Sequence, residues 1–333
     1  MKLFFAALLS AASLGQAIAA EPPPAFADDP AVSEFALDLE QRQGFNAAEV
    51  LGQFAQIQPN QRVLQLILPP ETPQQRSWER YRSRFVNERR IKGGLRFWQA
   101  HPATLARARA FYGVPEEIIV AIIGVETEYG QNTGGFGVLE ALATLAFAYP
   151  PRADFFRGEL EQFLLLAREN NFDPLTIKGS YAGAIGIPQF MPGSQRRYGV
   201  DFDGDQRVDL SASVDDAIGS VAHFLQQHGW QSGQPVALAA AVPEEAVPAL
   251  LAAGIRPSVL VSELQEQGII TSAEPAAKVA LVDLASPGKA AEYWLGFDNF
   301  YVLTRYNRSS FYAMAVFQLA ETLRQRRSSA AAE

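Results

Sequence analysis

Apolar residues recur every three or four positions along most of the chain, the period of a helix with one buried face. Trp78, Tyr81, Phe85, Ile91, Leu95, Phe97 and Trp98 follow this spacing, and from 102 to about 230 no run alternates with period two. That whole stretch therefore predicts helices separated by Gly and Pro turns. Residues 33–60 predict an earlier helical patch, with Asn46 capping Ala47-Ala48-Glu49-Val50-Leu51. The run Arg62–Leu68, closed by Pro69-Pro70, fits a short strand or a short helix equally. Residues 231–290 differ. Strand-like pieces at Val236–Val242 and around Ile269, Val279 and Val282 lie among helical Ala/Leu segments and Pro/Gly breaks, predicting a smaller mixed α/β subdomain. Residues 291–326 open with aromatics and close with a helix through Phe311–Phe317, while 20–32 and 327–333 read as tails.

The first residues read as an export leader. Met1-Lys2 precedes the apolar run Leu3–Leu9, and Ala17-Ile18-Ala19 supplies a small-x-small cleavage pattern, assigning 1–19 to a signal peptide. The run is well short of the about 20 apolar residues that a membrane span needs. The chain has no cysteine, which excludes a lipid-anchor cysteine, disulfides, thiolate metal sites and a cysteine nucleophile. An exported, soluble, periplasmic protein is expected. With 48% hydrophobic and 19% charged residues it should fold throughout. A net charge of −8 argues against nucleic acid as a partner, and three histidines without an HExxH pair leave little room for histidine–metal chemistry. No organic cofactor is implied, and a monomer is expected.

Candidate chemistry begins at Val114-Pro115-Glu116-Glu117, where Pro and acidic residues suit a helix start. Ile118–Val125 is apolar almost all round and predicts a buried helix presenting Glu126-Thr127-Glu128-Tyr129, with Gly130 as the stop. At 100° per residue Glu126 shares the stripe of Ile119, Ile122 and Ile123, whereas Glu128 points elsewhere. Desolvation and the negative helix end both favour the neutral acid at Glu126, as a general acid requires. The alternative is a helix-end residue that reaches solvent or pairs with an arginine.

Three other segments bear on that choice. Ser180–Gly193 combines small residues with Gln189, whose amide offers a donor and an acceptor to sugar hydroxyls or an acetamido group. Phe300–Tyr312 alternates aromatic rings with polar groups, suiting sugar stacking. Asp201, Asp203, Asp205 and Asp209 take positions 1, 3, 5 and 9 of an EF-hand-like loop, with the Arg207 carbonyl at position 7. Gln206 stands where that loop has Gly, and Ala212 where it has the bidentate Glu; the next acids, Asp215 and Asp216, could close the site from a slightly longer loop. All-oxygen ligands point to a structural Ca²⁺.

Together these segments resemble the membrane-bound lytic murein transglycosylase B family. The resemblance rests on Gly124–Gly130, Ala141–Leu145, Gly158–Leu160, Lys178–Pro192, the aspartate loop, His228-Gly229-Trp230 and Thr304–Asn307, and covers about residues 33–325. It implies a mainly α fold: a helical region at 33–100, a lysozyme-like catalytic core at 101–230, the mixed subdomain at 231–290, and 291–326 completing the core. The implied activity is cleavage of the β-1,4 MurNAc–GlcNAc bond of peptidoglycan glycan strands without water, leaving a 1,6-anhydro end. By position, Glu126 matches the single catalytic acid/base, and Ser180, Gln189, Tyr306, Asn307 and Tyr312 match residues that hold the glycan. Asp201, Asp203, Asp205, Arg207 and Asp216 match calcium ligands, with Asp215 the open alternative to Asp216. Phe155 and Phe224 stand where relatives can carry a cleft tyrosine. A lysozyme-type muramidase that hydrolyses the same bond, and a non-catalytic wall-binding protein, are the competing readings.

Overall fold

The computed structural model describes residues 25–68 and 76–332; the leader assigned to 1–19 lies outside them. The elements run α1 (Pro30–Gln43), α2 (Ala47–Phe54), α3 (Gln61–Ile67), α4 (Trp78–Phe85), α5 (Glu88–Ala100), α6 (Pro102–Tyr112) and α7 (Glu116–Thr127). They continue with β1 (Phe136–Gly137), α8 (Val138–Ala148), α9 (Ala153–Asn170), β2 (Lys178–Gly179), α10 (Pro192–Tyr198) and α11 (Val214–Gln227). The last third holds β3 (Ala237–Ala239), α12 (Val247–Ala252), β4 (Val259–Leu260), α13 (Val261–Glu266), β5 (Lys278–Leu284), β6 (Glu292–Gly296), α14 (Asp298–Tyr306) and α15 (Ser310–Ala332). Helix dominates, as the period predicts. Among the described residues no helix is long and apolar enough to cross a membrane.

Short polar side chains start many of these helices. Asn46 accepts from the amides of Ala48 and Glu49, and Asp29, Asn60, Ser77, Asn87 and Ser213 act alike, satisfying amides that the first turn leaves unpaired. Arg62–Ile67, open between strand and helix in the sequence, is helical because Asn60 caps it and Val63 buries against the second core described below.

Two large cores organise the body. In one, α7 is the central rod, buried on nearly every side by α5, α6, α11 and α15. In the other, α1, α2 and α3 pack with α8 and α9 around Phe35, Phe54, Phe156 and Phe163. The third and smallest core lies under the sheet of order β3-β6-β5-β4, all antiparallel neighbours. That sheet is two-sided: Val279 and Leu281 of β5 face the small core, whereas Val282 and Leu284 join the core around α7.

Three boundaries read from the sequence shift. Within the tail assigned to 20–32, residues 26–32 are packed, because Phe26 buries edge-on against Phe54 and Phe147 and α1 starts at Pro30. The tail assigned to 327–333 continues α15 to Ala332, held where Arg327 stacks on Trp98 and pairs with Glu116 at 3.2 Å. The break at 290 separates β6 from its own sheet, since β6 pairs with β5 from Leu284↔Glu292 to Ala280↔Gly296. Ile269, read as strand, sits at the end of a turn, with only Ile270 bridging to Ala241.

Candidate active site

The last turn of α7 carries Glu126, and the chain beyond it is held unusually. Helical dihedrals end at Thr127, not at Gly130 as predicted. Glu128, Tyr129 and Gly130 are successively left-handed, with φ of 53°, 64° and 83°. Two non-glycine residues in that conformation carry a steric cost, so something must hold them. The Tyr129 ring does so. It lies between the backbones of α5 and α7, where a Cβ on Gly124 or Gly94 would come 2.5 Å from the Tyr129 hydroxyl and one on Gly93 2.8 Å from its ring. The hydroxyl donates to the Arg90 carbonyl at 2.8 Å, and Arg90 Nε donates back to the Gly124 carbonyl at 3.0 Å. Glu128, turned away from Glu126, is buried and pairs with Arg89.

Glu126 itself is half-buried, and no basic side chain among the described residues forms an ion pair with it. Burial pushes its pKa up to about 7, opposed only by a hydrogen bond that favours the carboxylate. That bond comes from Tyr312, whose hydroxyl donates to Oε1 at 2.6 Å. Tyr312 stacks nearly parallel on Tyr306, with centroids 6.2 Å apart, and the Tyr306 hydroxyl donates to the Pro188 carbonyl at 2.6 Å. Both phenols are raised well above their ordinary range, by burial first and by the Glu126 charge second.

Two parts of the chain that no motif links also come to this end of α7. Tyr81 of α4 packs on Phe311, the neighbour of Tyr312, at 5.7 Å, and is raised to about 12, by burial first and then by the charge of Glu126. Its helical spacing was visible in the sequence, but nothing local marks its side chain as part of the site. Thr127 donates to the Ile187 carbonyl at 2.8 Å and accepts from Gly130 N at 3.0 Å, fastening the end of α7 to the 183–190 turn.

The remaining site candidates fall as follows. Gln189, left-handed at φ 53°, donates through Nε2 to the carbonyls of Thr133 and Gly186, and its side-chain oxygen has no donor among the described residues. Ser180 is half-buried, and its oxygen accepts from the amides of Ala182 and Ala184, shaping that turn. Asn307 is exposed at the end of α14. Phe155 is 42% exposed, but Phe224 is buried, stacked on His228 at 4.0 Å and edge-on to Tyr306 at 4.9 Å. Phe224 therefore backs the tyrosine instead of offering a free face.

In the aspartate loop, Asp201, Asp203 and Asp216 each bring a carboxylate oxygen within 4.8 Å of the others. Asp205 turns to its own backbone, accepting from Arg207 N at 2.8 Å, and is outside that trio. Asp215 accepts from Thr104 Oγ1 at 2.8 Å instead, whereas buried Asp216 accepts from Phe202 N and Asp209 N and so sits under the loop. Gln206 takes the left-handed conformation (φ 71°) for which EF-hand loops use glycine. Three clustered carboxylate oxygens repel one another without a cation, so the donor set fits a hard divalent ion.

An acid sheltered under tyrosine rings at the end of a buried helix defines an enzyme that cleaves glycosidic bonds from a lysozyme-like helical body. The chain belongs to the transglycosylase SLT domain family, which it matches over residues 27–321. It is 41% identical over 309 residues to membrane-bound lytic murein transglycosylase B of Escherichia coli, covering 90% of this chain and 84% of that one. Its structure superposes on soluble lytic transglycosylase SltB1 of Pseudomonas aeruginosa with a TM-score of 0.84 at 47% identity, covering 90% and 100% of the two chains. The Escherichia coli lytic transglycosylase Slt35 in complex with calcium gives a TM-score of 0.83 at 40% identity, over 91% of this chain and 95% of that one.

Proposed function

We propose that this protein cleaves the β-1,4 bond between MurNAc and GlcNAc in peptidoglycan glycan strands, in the periplasm after removal of residues 1–19, and leaves a 1,6-anhydro end. The single observation that carries this reading is the Glu126 carboxyl, raised to about 7 by burial and held by Tyr312. Glu126 gives its proton to the leaving O4 of GlcNAc as the C1–O4 bond breaks. The acetamido oxygen of MurNAc stabilises the cation at C1. The C6 hydroxyl oxygen of the same sugar then bonds to C1 and returns its proton to Glu126. The acid ends as it began and no water is consumed. Ordinary glycosidases use two carboxylates. Here Glu128 is turned away to Arg89 and the aspartates are gathered in their own loop, so one group serves both steps. An internal hydroxyl replaces water through its high effective concentration.

Ser180, Gln189, Tyr306 and Asn307 line the proposed path of the glycan, and Tyr312 orients the acid. Asp201, Asp203 and Asp216 would hold a calcium ion, with Asp205 and the Arg207 carbonyl the further candidates. The complex of Slt35 with calcium supports this assignment. The ion's role would be to neutralise the loop and fix it, not to act on the sugar. Purified sacculi digested with the enzyme should release muropeptides about one water lighter than the hydrolytic products, and Glu126→Gln should lose turnover by several orders of magnitude while still binding the glycan. Products carrying the mass of added water, or full activity in that variant, would overturn the proposal.

A further inference from the structure

Residues 76–96 carry eight arginines and lysines and only two acids, inside a protein whose net charge is −8. The segment forms α4 and most of α5, and each helix buries one side. Trp78 of α4 and Ile91, Phe97 and Trp98 of α5 face inward, whereas the opposite sides are exposed and cationic. On α5, Arg89, Lys92 and Arg96 are spaced three and four residues apart, which stacks them in one outward stripe about 10 Å long. Arg80 and Arg84 stand one turn apart on the exposed side of α4. The link between the helices is short and fixed. The Asn87 side chain donates to the carbonyls of Ser83 and Arg84 at 3.1 Å, and half-buried Arg90 donates to those of Arg84 and Gly124.

Internal pairing does not discharge this surface. Both acids of the segment are taken by cations from elsewhere: Glu79 pairs with Lys289 at 2.8 Å, and Glu88 with Arg326 at 2.9 Å. Each acid thus brings one more cation to the same region. Of the segment's own cations Arg89 reaches an acid, Glu128. Among the described residues Arg80, Arg82, Arg84, Lys92 and Arg96 form no ion pair. Arg82 donates to a neutral amide instead, Oε1 of Gln318, at 2.5 Å. Five exposed, unpaired cations on one pair of helices make a local positive field on an otherwise acidic molecule.

We propose that the outer faces of α4 and α5 are a docking surface for an anionic phospholipid membrane. Clusters of about four to eight Lys and Arg on a helix face bind such leaflets through contacts that add up. The guanidinium fork is matched to phosphate, which it binds bidentately. A leaflet presents its phosphates as a continuous plane, so a line of exposed cations meets many of them together. The wall polymer offers carboxylates singly, on flexible arms. No helix among the described residues is long and apolar enough to cross a membrane, so docking through this face is peripheral and reversible. The inner side of α5 holds Tyr129 through Gly93 and Gly94, and a leaflet on the outer side therefore meets the enzyme away from the Glu126 turn. The docking surface is independent of the bond that the enzyme cuts.

Co-sedimentation of the purified protein with vesicles tests this. At about 50 mM salt, vesicles with about 30% phosphatidylglycerol should bind at least about tenfold more protein than pure phosphatidylcholine, and the difference should vanish by about 300 mM. Arg80→Gln/Arg84→Gln/Lys92→Gln/Arg96→Gln should abolish the difference. Arg80→Lys/Arg84→Lys/Arg96→Lys should keep most of it, because a charged plane reads charge more than shape. Arg62→Gln/Arg256→Gln removes exposed charge elsewhere and should leave binding unchanged. An unchanged melting temperature checks the fold of each variant. Equal binding to the two kinds of vesicle, or full binding by the fourfold Gln variant, overturns the proposal. Binding confined to isolated sacculi also overturns it and gives this face to the wall instead.

Discussion

At the residue scale the protein turns on how Glu126 keeps its proton. A carboxyl near 7 in the folded chain and near 4.5 when unfolded is protonated only in the folded state between those values. The folded protein therefore binds the extra proton there, and Glu126 lowers stability progressively as pH rises from about 4.5 through 7. Glu126→Gln removes that dependence, so its melting temperature should exceed that of the wild type at pH 8, with the gap closing towards pH 4.5; a constant gap would refute the assigned shift. Under the proposed mechanism catalysis follows the same sign, since the free enzyme needs the acid form. The value of kcat/KM should fall tenfold per pH unit above about 7. Tyr312→Phe deletes the hydrogen bond that favours the carboxylate, so this alkaline limb should move upward while kcat drops through loss of orientation. A pH–rate profile of the variant reads both effects. Glu126 could be found in the sequence because its neighbours set its burial. Tyr81 could not be, because its place against Phe311 depends on how α4, far upstream in the chain, packs on α15.

At the scale of elements, the end of α7 shows what local rules miss. Glycine is the usual left-handed stop, and the sequence offers Gly130 for that role. The structure places that stop at Glu128, two residues earlier, because Tyr129 fills a slot that Gly93, Gly94 and Gly124 leave open. A tertiary contact overrides the local preference. Gly124→Ala should force the Tyr129 ring out, costing about 1–3 kcal/mol as overpacked cores do. It should reduce kcat more than a surface substitution of equal stability cost, because the same turn aims Glu126. Thermal melting and steady-state kinetics together check this. The aspartate loop was readable from spacing alone, yet the choice between Asp215 and Asp216 needed the hydrogen bond from Thr104 that takes Asp215 away.

At the scale of the whole molecule, the helical body was legible because its period persists over long runs. The sheet was read less well, since β6 hides in a segment whose aromatics resemble the helix that follows and its pairing with β5 is long-range. Loss of the calcium ion proposed for the aspartate loop should act globally, through stability. Chelation should lower the melting temperature by the equivalent of about 3 kcal/mol where calcium had stood at 100 times its Kd, and added calcium should restore it. An unchanged melting curve in chelator and in calcium would exclude the ion.

The outgoing and returning strands of the sheet leave the helices side by side. Ala237 pairs with Gly296, Phe297 N donates to the Val236 carbonyl at 3.0 Å, and the wholly buried Asn299 bonds to both Gln231 and Gln234. A cinch of this kind lets α11 and α14 meet as though a short connector joined them, while β5 reaches back to the helical body through Val282 and Leu284. Lengthening or trimming the outer turns near Glu244 would leave the register of the catalytic helices undisturbed, and evolution can reshape that rim without renegotiating the machinery beneath it.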